Sequence, residues 1–213
     1  MYPSLFLLLM RIGILGGTFN PPHLAHLAMA EKAREVLNLD KVIFMLSALP
    51  PLKEPEVPIK KRMEMLEIMI GSRPKFEVSD LEAKRAALGK KSYTIDTIYQ
   101  LKKIYPQAEI YWIVGADSYQ ELLGGKWKEP EKVLKMINLI VFERPGYKIN
   151  KFIRNSFKFV IRRRTLRKAH MFIKMGLAIS STEIRARIKK GQSVKKYLPK
   201  KVLDYIIKNR LYK

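Results

Sequence analysis

The run Gly16-Gly17-Thr18-Phe19-Asn20-Pro21-Pro22-His23-Leu24-Ala25-His26 gathers two glycines, two prolines and two of the chain's three histidines. Those residue types suit an anion site. Glycine lets a backbone come close to a ligand and take unusual dihedrals, and Pro21 and Pro22 fix a rigid turn. A helix beginning at His23 would offer N-terminal amides and the positive end of its dipole to a phosphate. His23 and His26 stand at i and i+3, share a helix face and can converge on one anion. A second run, Ser180-Ser181-Thr182-Glu183-Ile184-Arg185, combines an S-x-x-E capping signature with hydroxyls and an arginine fork matched to phosphate. Residue types alone leave plainer readings open: a Gly-Gly turn with two core histidines, and an ordinary capped helix. Zinc is poorly matched, because the chain has no cysteine, no H-E-x-x-H run, and only His170 as a third imidazole.

Alternating elements must position these runs. Residues 11–16 form a short apolar strand ending in glycine, followed by a helix over 23–38 with Leu24, Leu27, Ala28 and Leu37 on its apolar side. Strands are expected at 41–47, 75–80, 109–117 and 138–146, and helices at 59–72 and 92–106. Met63, Leu66 and Ile70 mark the inward side of the first of these helices, and Pro106 stops the second. A basic loop joins 80 to 92, and a short helical region lies between the last two strands. Residues 157–161 and 171–173 read as short strands, 180–191 and 198–212 as helices. This order predicts an α/β, Rossmann-like doubly wound parallel sheet with helices on both faces and a small helical C-terminal segment. One domain is expected over 10–213, with its ligand beyond the carboxyl ends of the strands.

Composition narrows the partners. The 213 residues are 47% hydrophobic and lack low-complexity runs, as expected of a globular chain. Absence of cysteine removes disulfides and thiolate chemistry and suits a reducing compartment, so the expected location is cytoplasmic. The first ten residues lack the basic region and cleavage site of a signal peptide and are too short to span a bilayer, so no membrane partner is expected. Residues 1–9 read as an appendage ahead of a start at Met10. Net charge is +23, and residues 144–213 carry 22 Lys and Arg against 2 acidic residues. Such a field attracts polyanions, nucleotides or nucleic acid.

The first run resembles the G-x-F-x-P-x-H-x-G-H signature of the nucleotidyltransferase superfamily. The likeness continues through PPLK (50–53), SYTIDT (92–97), IVGADS (113–118), KW (126–127), RPGY (144–147), ISSTEIRARI (179–188) and YLPKKVLDYI before NRLY. In that order and over nearly the whole chain, the set is similar to the bacterial nicotinate-nucleotide adenylyltransferases. Ala25 departs from the usual glycine, and Leu52 stands where the related PPHK has histidine.

The resemblance implies transfer of AMP from ATP to nicotinate mononucleotide, giving deamido-NAD and pyrophosphate in NAD biosynthesis. It implies that His23, His26 and Arg185 act on the reacting phosphates. ATP would meet Gly16, Gly17, Thr18, Phe19, Lys53, Gly115, Asp117, Ser181 and Thr182, and the mononucleotide would meet Tyr93, Thr94 and Trp127. Mg²⁺ would arrive with ATP rather than in a protein cage. Alternatives are another acceptor within the superfamily, phosphopantetheine or nicotinamide mononucleotide, and a basic nucleic-acid-binding protein. The last lacks any recognisable module despite its basic C-terminal stretch. A homo-oligomer is left open.

Overall fold

Five runs rich in β-branched and aromatic residues, each too short for a helix and bounded by turn residues, become the central strands. The computed structural model describes residues 9–143, 170–174, 176 and 179–213. Its elements are β1 (Arg11–Gly17), α1 (Leu24–Leu37), β2 (Lys41–Leu46), α2 (Ile59–Ile70), β3 (Phe76–Ser79), α3 (Leu81–Ala86), α4 (Thr94–Ile104) and β4 (Glu109–Gly115). Then come α5 (Ala116–Leu123), α6 (Pro130–Met136), β5 (Asn138–Glu143), β6 (His170–Lys174), α7 (Ser181–Lys189) and α8 (Lys200–Lys208). The RPGY run, the strand expected at 157–161, the basic 162–168 stretch and the end of the 138–146 strand lie outside the described residues.

Among the described residues all strand pairings are parallel, in the order β3-β2-β1-β4-β5-β6. From β1 the chain steps outward to β2 and β3, then returns to β4 on the other side of β1. The carboxyl ends of β1 and β4 therefore flank the crevice where such sheets bind ligands. Strand periodicity separates two cores. Ile12 and Ile14 of β1 face one side with Trp112 and Val114, packing on Ile95 and Ile98 of α4 and Tyr119 of α5. Leu15 faces the other with Phe44 and Ile113, packing on α1, α2 and α8. Helices thus cover both faces, as expected.

The C-terminal helices belong to that second core. Ile184, Val202 and Ile206 are buried in it, Lys61 of α2 donates to Asn209 at 2.7 Å, and Tyr205 donates to Glu64. Residues 80–91, read from sequence as a basic loop, contain α3 instead. Burial of Glu82 and Arg85 around Thr97 neutralises two of its charges and makes one face of a charged run inward-pointing. Among the described residues no helix is long and apolar enough to cross a membrane.

His170 stands on the sixth strand, its ring edge-on to Tyr119 with Nδ1 3.4 Å from the phenol oxygen. Burial holds its pKa down at about 4. In the unfolded chain an imidazole takes its proton near 6.5, so acid favours unfolding from about pH 6.5 down to about 4 and adds nothing below. Urea unfolding is expected to show about 3 kcal/mol of stability lost across that window, and His170→Gln should flatten that part of the profile. An unchanged slope in the variant would contradict the assignment.

Candidate active site

Beyond the carboxyl ends of β1 and β4 lies one cleft in two halves that share Gly16, Gly17, Thr18, Lys53, Val114 and Ser118. The larger, about 730 Å³, is polar, lined by His23, His26, Asp117, Ser181, Thr182 and Arg185 among others. The smaller, about 150 Å³, is lined by Pro50, Pro51, Leu52, Tyr93, Thr94, Trp112 and Trp127. Fourteen of the fifteen residues singled out from sequence therefore line this cleft, Gly115 included.

Phe19 is the exception. Its ring is 1% exposed, packed edge-on to His26 at 4.9 Å and tilted against Phe44 at 6.1 Å. Its ring buttresses the histidine, and the residue is not among those that line the cleft. The two glycines serve this packing as well. A Cβ at Gly17 would meet the Phe19 ring at 3.2 Å, and one at Gly16 would meet the Trp112 indole at 3.3 Å. The missing side chains accommodate rings from below as well as leaving backbone open above.

His23 caps α1 and its amide donates to His26 Nδ1 at 3.2 Å. Because Nδ1 accepts, the neutral His26 ring carries its proton on Nε2, where it can only donate. The rings of His23 and His26 stack at 3.7 Å. His26 is thus held between His23 and Phe19, a donor with little freedom to turn. Two of the amides expected at the start of α1 are engaged within the protein: His23 N–H goes to His26 and Leu24 N–H to the Tyr197 carbonyl at 3.0 Å. The imidazoles beside them line the polar half.

Ser180 caps α7 by accepting from Glu183 N at 3.1 Å. Only half of the capping box forms, because the Glu183 carboxylate turns to Arg187 at 3.0 Å, a charged donor one turn on. The Ser181 hydroxyl donates to the Pro21 carbonyl at 2.8 Å, tying α7 to the turn before His23. Arg185 donates through Nε to Glu56 at 2.8 Å and through Nη1 to the Asn20 carbonyl at 2.8 Å. Its guanidinium is braced from two sides at the cleft wall. Lys189 also pairs with Glu56, and the two cations hold that carboxyl below its usual range.

Asp117 lies in the first turn of α5, where a carboxylate is favoured by the dipole. It folds back over the capping Gly115, so a Cβ there would sit 2.6 Å from Asp117 Oδ1. Gly115→Ala is therefore expected to push the carboxylate out of its position. Nucleotide titration should show binding to the polar half weakened by about tenfold with the fold kept; unaltered affinity would contradict a role for Asp117 there.

Trp127 is half-buried at the edge of the core, and Lys128 beside it pairs with Asp96 at 3.2 Å and lies over the Tyr93 ring at 5.0 Å. The methyl of Ala25 is buried in the wall of the polar half, and Leu52 is exposed at the mouth of the other. Among the described residues no group of three His, Cys, Asp or Glu side chains converges on a metal position.

Sequence reasoning missed Arg62. It is 2% exposed and donates to the carbonyls of Thr18, Ser47, Ala48 and Val57 at 2.7–3.0 Å. Desolvation lowers its pKa to about 10. The signal was its place on the stripe Arg62, Met65, Leu66, Met69, whose spacing is that of a buried face. Ser92 and Glu82, also buried at the smaller half, carried no comparable signal.

Residues 14–187 match the family described as cytidylyltransferase-like. A protein of Pelobacter propionicus named probable nicotinate-nucleotide adenylyltransferase is 41% identical over 217 residues, covering 95% of this chain and 98% of its own. One of the same name from Thermus thermophilus is 40% identical over 204 residues, covering 96% and 100%. Among solved structures, the Plasmodium falciparum nicotinic acid mononucleotide adenylyltransferase, in complex with NaAD, superposes with a TM-score of 0.78 at 25% identity, covering 95% of this chain and 97% of that one.

Proposed function

The chain belongs to the cytidylyltransferase-like family and, within it, to the nicotinate-nucleotide adenylyltransferases, and from that membership we propose that its cleft joins ATP to nicotinate mononucleotide. The observation that carries the reading is the two-part cleft: a polar half walled by imidazoles and a guanidinium, and an apolar half with two tryptophans, meeting at Gly16–Thr18. ATP fills the first and the pyridine nucleotide the second.

The 5′-phosphate of the mononucleotide attacks the α-phosphorus of ATP in line. The new P–O bond forms as the bond from that phosphorus to the β-phosphate oxygen breaks, releasing pyrophosphate and the dinucleotide deamido-NAD. The nucleophile is already ionised, so the chain positions reactants and stabilises charge. His26 donates Nε2–H to phosphate oxygens, with His23 holding its ring. Arg185 through its remaining N–H groups, the Thr182 hydroxyl and the backbone amides of Ser181 and Thr182 at the start of α7 receive the charge that moves onto the departing pyrophosphate. Lys53 lines both halves and neutralises the phosphates where they meet. Asp117 and Gly115 take the adenosine side. Trp127 stacks on the pyridine ring, with Tyr93 and Thr94 completing its wall.

Mg²⁺ would arrive with ATP, held by its phosphates and water, and would supply charge neutralisation there beside Lys53. The cysteine-free composition supports a cytoplasmic location, where the product feeds NAD biosynthesis. ATP labelled at its α-phosphorus tests the chemistry. All label should appear in the dinucleotide and none in pyrophosphate. Label in the pyrophosphate, or a labelled protein intermediate, would overturn direct attack.

A further inference from the structure

The walls of the apolar half come from two segments far apart in the chain, the loop after β2 and the entry to α4. One side chain ties them. Ser92 Oγ accepts from Ala48 N–H at 3.0 Å and Leu49 N–H at 3.1 Å, and the Ser92 amide donates to the Leu49 carbonyl at 2.8 Å. A hydroxyl oxygen with both lone pairs occupied has only its proton left to give. Glu82 lies beside this junction, where the Ser92 hydroxyl and the Ala48 amide both favour its charged form. It accepts from the Thr97 hydroxyl at 2.6 Å, and Arg85 in turn donates to Thr97 at 2.9 Å. All four side chains are buried. A polar cluster of Arg85, Thr97, Glu82 and Ser92 therefore stands behind the loop amides, along the wall that Glu82 itself helps to line.

We propose that Ser92 and Glu82 are positioning residues for the mononucleotide alone: they set the spacing between the Pro50–Leu52 loop and Tyr93 and Thr94, and so the width of the slot for a planar ring. The inference rests on the assignment of this half under Proposed function. Its selectivity follows from the lining, because none of residues 48–52 or 92–94 borders the polar half. Loss of the tie widens one subsite and leaves the other in place.

Steady-state kinetics in both substrates and amide hydrogen exchange test this with Ser92→Ala, Ser92→Thr and Glu82→Gln. Ser92→Ala is expected to raise the KM for nicotinate mononucleotide about tenfold while changing the KM for ATP less than about twofold. Exchange at Ala48 and Leu49 should quicken about tenfold or more. Ser92→Thr, which keeps a hydroxyl, should restore both readouts, and Glu82→Gln should shift them in the same direction by a smaller factor. Parallel rises in both KM values, a loss of thermal stability with neither KM moved, or failure of threonine to rescue would overturn the proposal. Should Ser92→Ala not fold, Glu82→Gln carries the same KM split. Failure of the functional reading looks different: the unaltered protein would not turn over nicotinate mononucleotide, whereas the exchange arm needs no substrate.

Discussion

His26→Ala is expected to lower kcat by about 10²–10³ while leaving the fold in place. The ring is fixed before substrate arrives. His23 N–H holds Nδ1, the His23 ring stacks on one face, and Phe19 abuts the edge, so Nε2–H is aimed with little rotational entropy to lose. A donor preorganised in this way costs no rearrangement when charge develops on the phosphates, and its removal is felt chiefly in the transition state. Far-UV circular dichroism and urea unfolding should show a loss of only about 1 kcal/mol, the size of one unmade hydrogen bond. His26→Gln, which keeps a donor at a different angle, should fall between. Turnover of His26→Ala within about threefold of the unaltered protein would remove the residue from the reaction.

Arg62→Met is expected to destabilise the protein by about 4 kcal/mol, large for a single substitution. The methionine fills much of the same volume, so the cost is not a cavity. It is the stranding of four buried carbonyls, on Thr18, Ser47, Ala48 and Val57, which have been satisfied by one planar fork. A buried cation with neutral partners is itself costly, as its lowered pKa of about 10 records, and that relief partly offsets the loss. Arg62→Lys keeps the charge but cannot reach carbonyls in four directions, so it should recover less than half of the stability. Urea unfolding measures both. Because Thr18 and the loop after β2 line the cleft, activity should fall with stability; a loss under about 1 kcal/mol would mean that these carbonyls find other donors.

The lining of the cleft was largely legible because its residues cluster in short runs at strand ends. Gly16 to His26 and Ser180 to Arg185 suit an anion site by type and spacing, the family resemblance weights that reading over the plainer ones, and the strand order places both at one crevice. What escaped was whatever depends on pairing across the chain. Arg62 reads as a surface cation until its stripe is traced, and Glu82 and Arg85 read as solvated charges until Thr97 is seen between them. The resemblance assigns Phe19 to ATP, and its ring is buried against His26, a contact that motif spacing does not show. The half-formed capping box at Ser180 shows the same limit: S-x-x-E specifies the serine's bond, but Arg187 competes for the glutamate.

Pyrophosphate release from ATP and Mg²⁺, compared across nicotinate mononucleotide, nicotinamide mononucleotide and phosphopantetheine as acceptors, tests the central claim most directly. Release with nicotinate mononucleotide well above the other two is the predicted result. Equal or greater release with phosphopantetheine, or none with any acceptor from folded protein, would contradict it.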